Sequence, residues 1–232
     1  MKQLNDISAE CGLWTIFLGL TLLTLHFANL FLITVYAPLE STMGLIQKIF
    51  YYHVPVAWAA FLAFFFNFLG SLIFLIKKDE KYDSLAKAAT ETGMIFIILV
   101  LITGPIWARF TWGMYWTWEP RLTTSFVLFI LYLAYVLLRR FGGEGERIAR
   151  FAAVLGIVAF LDVPLVYFSM HWWAPEISAH PRSIGLSSEM KTVFFISLGI
   201  FTLTALYLLW ERYRLIRLEH LYQQTLMKKV GK

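Results

Sequence analysis

Six long apolar runs, each closed by basic residues or by a turn rich in Pro, Gly, Asp or Ser, constrain this chain more than any other feature. The first, from Cys11 to Leu39, carries no Asp, Glu, Lys or Arg. It is longer than a bilayer core of about 30 Å requires at about 1.5 Å per helical residue. The others are Val54 to Ile76, ending at Lys77-Lys78; Thr92 to Trp107, which can borrow Leu85 to Glu91; Leu122 to Leu138, stopping at Arg139-Arg140; Phe151 to Met170, with Asp162 inside it; and Thr192 to Trp210, stopping at Glu211-Arg212. The chain is 59% hydrophobic and only 15% charged, against roughly half and a quarter in soluble domains. One small soluble core cannot hide that surplus. The expectation is an all-α integral membrane protein, a bundle of six transmembrane helices over about 13–36, 54–76, 87–107, 122–138, 150–170 and 190–210, in one domain spanning residues 1–232. Met1 to Glu10 is polar, and no small-residue cleavage site follows the first run, which therefore reads as a retained helix.

Loop charges set the orientation. With the N-terminus inside, fifteen of the twenty Lys and Arg residues fall on inner segments, and only Lys48, Arg109, Arg121, Arg182 and Lys191 fall outside. That bias over short loops places both termini in the cytoplasm. It also explains the net charge of +5 without a nucleic-acid partner. A single cysteine, Cys11, leaves neither a disulfide framework nor a cysteine metal site. There is no C-x-x-C-H for covalent haem attachment and no nucleotide-binding P-loop, so the chain reads as a binding component and not an enzyme.

The outer segments gather aromatic residues and histidines. One contains Tyr51-Tyr52-His53-Val54-Pro55; the next, over about 107–123, holds Trp107, Trp112, Trp116, Trp118, Glu119 and Arg121; the third holds His171, Trp172, Trp173, His180 and Arg182. Six of the nine tryptophans therefore lie on one side. An interfacial belt accounts for two or three, because an indole is apolar with one N–H to satisfy; six on one side, against Trp210 as the clear inner counterpart, point to a functional platform. His53 and His180 lie on separate outer loops and can face one ligand, with His171 competing for the second position. Neutral imidazole ligates haem iron, and aromatic walls suit a flat macrocycle. Arg109, Arg121 and Arg182 contact either headgroups and nearby acids or an anionic ligand edge such as two propionates. Asp162, inside a span, either supports such a site or ends a helix before Pro164. His26, in the first span, is either a packed polar residue or, with Asp162, part of a relay in a secondary transporter or ion-conducting subunit. A third alternative is an assembly subunit whose aromatic face binds only protein.

The segment Trp112-Gly113-x-x-Trp116-x-Trp118-Glu119-x-Arg121-Leu122-Thr123 resembles the WWD signature of haem-handling proteins in cytochrome c biogenesis. His53-Val54-Pro55 after tyrosines, and Trp172-Trp173 followed by a histidine, are similar to the CcmC branch, the C component of bacterial cytochrome c maturation. The resemblance covers most of the chain and departs from the pattern at Glu119, where the family normally has Asp, and in the length between Trp173 and His180. It implies a multi-pass protein of the bacterial inner membrane that holds haem b at the periplasmic face as bound cargo. The implied site is a platform of Trp112, Trp116, Trp118, Glu119, Arg121, Trp172 and Trp173, with His53 and His180 as axial ligands. The implied partners are a CcmE-like periplasmic haem chaperone, CcmA- and CcmB-like ABC transporter subunits, and a small CcmD-like membrane subunit.

Overall fold

A computed structural model describes residues 2–143, 145–172 and 185–230. Among these the secondary structure is helical apart from an isolated bridge between Glu40 and Gly44. The helices are α1 (Lys2–Phe31), α2 (Phe50–Lys77), α3 (Glu80–Trp112), α4 (Pro120–Phe141), α5 (Glu146–Phe160), α6 (Asp162–Trp172) and α7 (Ser188–Val230). Six segments are long and apolar enough to cross a membrane: Gly12–Tyr36, Leu45–Lys77, Glu80–Trp112, Pro120–Phe141, Glu146–Ser169 and Ser188–Lys228. The protein is a multi-pass membrane protein.

Local chemistry explains where the helices start and stop. α1 widens into a π-turn over Leu32–Tyr36, closed by Ala37 N–H on Leu32 O at 2.8 Å, just before Pro38. α2 ends on Lys78 in the left-handed region (φ 54°), and Asp79 then caps α3 by accepting from the Lys81 N–H at 3.0 Å. α3 ends at Gly113 (φ 77°), a conformation in which a Cβ is strained. Pro120 opens α4 at a position where its missing N–H costs nothing. α5 and α6 form one span broken at Leu161, because the Pro164 ring cannot share a straight helix with the Phe160 carbonyl. Asp162 is the first residue of α6, at this break.

α2 is the most enclosed span and α1 the least. Along α2 the chain alternates between tight backbone approach and aromatic stacking. At Gly70 a methyl would stand 3.0 Å from both Ala86 N and Tyr82 O, so the bare α-carbon lets α2 and α3 meet. Phe64 stacks on Tyr132 of α4 with centroids 3.7 Å apart and planes 7° from parallel. Polar bonds add direction where lipid supplies no hydrophobic drive between helices. Asn67 donates to Ala86 O (3.0 Å) and Thr90 Oγ1 (2.8 Å), and Arg139 pairs with Asp83 at 2.6 Å. α1 is joined to α7 by a polar ladder: Ser197 Oγ donates to Asn29 Oδ1 (2.9 Å), His26 Nε2 meets Thr204 Oγ1 (3.0 Å), and Tyr207 OH donates to Thr15 O (3.1 Å).

Candidate functional site

The end of the bundle that carries the tryptophan loop is hollow. A cavity of about 470 Å³ lies between α2, α3, α4 and α6, within the roughly 300–1,000 Å³ usual for small-molecule sites. His53, in the first turns of α2, lines it. So do Trp107 and Trp112 from α3, Trp116 from the loop, and Arg121 from the first turn of α4. Tyr167 of α6 and Leu186 close further parts of the wall. Its remaining surface is mainly apolar and runs down the bundle to Ala57, Phe61, Ile97 and Val100. Among the described lining residues Arg121 is the one Lys or Arg, and there is no Asp or Glu.

Each side chain is held from behind. His53 Nδ1 lies 2.8 Å from Thr103 Oγ1, and its ring meets the Trp107 ring edge-on at 5.6 Å and 70°. Arg121 donates to Tyr167 O at 3.4 Å, while its own carbonyl accepts from Ser125 Oγ at 2.7 Å. Trp116 packs edge-on against Trp118 (5.7 Å) and Phe126 (6.2 Å). The indole N–H groups of Trp107 and Trp116 are buried and have no hydrogen-bond acceptor among the described residues. Two unsatisfied donors in an apolar wall are costly unless a ligand or water supplies an acceptor.

The structure divides the residues anticipated from sequence into three groups. His53, Trp112, Trp116 and Arg121 share the cavity. Trp118 and Trp172 do not line it: Trp118 is 74% exposed, and Trp172 is 67% exposed and stacked on Phe168. Glu119 is buried where the loop turns into α4, and its carbonyl accepts from Thr123 N–H at 3.0 Å. Trp173, His180 and Arg182 lie outside the described residues, as does the His171 side chain, so the position of a second histidine is not part of this geometry. Arg109 is not among the described lining residues; its guanidinium bonds the Gly113 carbonyl and sits over the Tyr115 ring.

Composition and motif spacing did not single out Thr103, Tyr167 or the deep apolar residues. No local signal marks them: Thr103 is one hydroxyl in an apolar helix, fifty positions from its partner. The two groups of the relay alternative are carried on different pairs of helices. His26 meets Thr204 at the α1–α7 contact, while Asp162 is on α6, which packs on α4 and α5.

Six membrane-length helices with an aromatic, histidine-bearing pocket at one end define a polytopic membrane protein. The chain belongs to the CcmC family, heme exporter protein C, whose family model matches residues 2–229. It is 39% identical over 137 residues to the heme exporter protein C of Bradyrhizobium diazoefficiens, covering 59% of this chain and 52% of that protein. A putative cytochrome c biosynthesis ccmC-like mitochondrial protein of Marchantia polymorpha is 29% identical over 78% of each chain. The heme exporter protein C of Escherichia coli K12 is 27% identical over 60% of this chain and 56% of its own length. The aligned part thus spans about half of two of these relatives.

Proposed function

We propose that this protein binds haem at the periplasmic face of the bacterial inner membrane and hands it to a periplasmic haem chaperone during c-type cytochrome biogenesis. One observation carries the reading: a single cavity brings an imidazole, four tryptophans (Trp58, Trp107, Trp112 and Trp116) and one guanidinium together at the end of an otherwise apolar bundle. A macrocycle supplies four of the iron's donors itself, so the protein need offer only axial ligands. His53 supplies one axial nitrogen, and His180, with His171 as competitor, the other. The tryptophan rings cover the macrocycle, and Arg121 receives a propionate by a charge-assisted bond. Trp118 and Trp172, both exposed, meet the incoming chaperone or the interfacial lipid.

The loop charges support a cytoplasmic position for both termini, which puts the cavity on the periplasmic side. The energy for export then comes from the ABC transporter subunits, with a small membrane subunit in the same assembly; this chain contributes binding and orientation. Purified protein reconstituted with haem should show a Soret band with low-spin α and β features. His53→Ala and Arg121→Ala should each weaken it. A preparation that stays colourless after reconstitution ends this reading.

A further inference from the structure

The hydrogen bonding around His53 carries more than its location. Thr103 Oγ1 lies 2.8 Å from His53 Nδ1 and also 2.8 Å from the Leu99 carbonyl one turn back on α3. A hydroxyl has one proton to donate. Both contacts are hydrogen bonds only when that proton goes to the Leu99 carbonyl and the Thr103 oxygen accepts from His53 Nδ1–H. Nδ1 is then the protonated nitrogen, and the imidazole lone pair sits on Nε2. Two neighbours on α3 confine the same ring. A methyl at Gly104 would stand 3.2 Å from His53 Cε1, and Trp107 packs edge-on against the ring. Positions 103, 104 and 107 lie on adjoining parts of one helix face, so a single turn of α3 sets both tautomer and tilt.

We propose that Thr103 is a positioning residue for haem ligation: it accepts the Nδ1–H hydrogen bond of His53 and holds the ring in the tautomer whose Nε2 binds iron. This rests on the reading of His53 as an axial ligand. Metal-bound histidines usually carry such an outer partner, and its loss typically costs about 10–100-fold in affinity. A hydroxyl is a weaker acceptor than a carboxylate, so it leaves the imidazole a weaker donor to iron than a carboxylate partner would. That suits a ligand bond that must break when the cargo leaves.

The competing explanation is a bond that merely packs α2 onto α3, and two readouts separate them. The first uses full-length, haem-free protein labelled with ¹⁵N-histidine, with the His53 signals assigned by their loss in His53→Ala. Wild type and Thr103→Ser should show a protonated Nδ1, and Thr103→Val a mixture of tautomers. In the second, haem titration should show Thr103→Val weakened by about 10–100-fold with part of the low-spin spectrum converted to high spin, and Thr103→Ser close to wild type. A wild-type His53 protonated on Nε2 overturns the proposal, and so does a Thr103→Val protein with unchanged tautomer and affinity. Should Thr103→Val fail to fold, the wild-type and Thr103→Ser tautomers still decide. A His53→Ala protein that keeps the wild-type haem spectrum removes the ligand reading and the positioning role with it; the tautomer measurement, made without haem, tests the hydrogen bond separately.

Discussion

At the scale of single residues, space decides as much as chemistry. The Gly93 α-carbon faces the Phe64 ring, which is itself fully buried and stacked on Tyr132. Gly70 faces backbone atoms of Ala86 and Tyr82, which have no rotamer to change. Gly70→Ala and Gly93→Ala should therefore each destabilise the protein by about 1–3 kcal/mol, read as a lower apparent Tm in detergent, whereas Gly12→Ala, which meets nothing within 4 Å, should leave Tm unchanged. Position also separates two tryptophans that look alike in the motif. Trp116 lines the cavity and Trp118 is mostly exposed. Under the haem reading, Trp116→Ala lowers haem occupancy of the purified protein and Trp118→Ala leaves it intact. Equal losses from both would show that the cavity is not the platform.

Among elements, the contrast is between the α2–α3 pair, joined along much of its length, and α1, which leans on α7 through a few polar bonds. Asn29→Leu removes the bond from Ser197, and such intramembrane bonds contribute roughly 0.6–2 kcal/mol. The expected result is α1 loosening from α7, seen as faster proteolysis of α1 in detergent while α2–α3 stays protected. The turn between α1 and α2 has its own titratable clasp. Glu40 accepts backbone N–H bonds from Met43 (2.6 Å) and Thr42 (2.8 Å), and the Met43 bond contributes most to holding its carboxyl below the usual carboxylate range. A lowered folded pKa means that the clasp is complete above the ordinary Glu range and is lost as pH falls through the lowered value. Amide exchange at Thr42 and Met43 should thus accelerate under acid, and in Glu40→Gln it should be fast at neutral pH as well. Exchange in the native protein that ignores pH beyond its intrinsic chemistry would exclude this role for Glu40.

For the molecule as a whole, orientation and cavity make one testable unit. Ser41 lies between the first two spans and Gly143 between the fourth and fifth, so they fall on opposite sides of the membrane. In a Cys11→Ser background, an impermeant maleimide applied to spheroplasts should label Ser41→Cys and spare Gly143→Cys until the cells are broken; the reverse pattern would place the cavity in the cytoplasm. Much of this scale was legible in the sequence. Charge-free runs of membrane length imply helices, because lipid leaves backbone groups no other partner. Proline, glycine and lysine clusters mark their ends approximately, although the helices overrun the apolar runs, as α3 does by starting at Glu80 and α7 by continuing to Val230. The tryptophan segment was legible in part: Trp112 and Trp116 of the motif line the cavity.

What the sequence by itself determined is therefore the class, the number of apolar spans and the part of the chain carrying the aromatic, histidine and arginine chemistry. These are properties of hydropathy, period and composition, which act locally. Only the tertiary structure decided that Trp112 and Trp116 turn inward while Trp118 and Trp172 stay exposed, that Arg121 is the charged side chain of the wall, and that His53 is held by Thr103. Those outcomes depend on how α2, α3, α4 and α6 cross. Crossing is governed by close approach at residues such as Gly70 and Gly93, by the Phe64–Tyr132 stack and by the break before Pro164. The break is local to Pro164, but the close approaches and the stack join residues from different helices, and no local pattern encodes them.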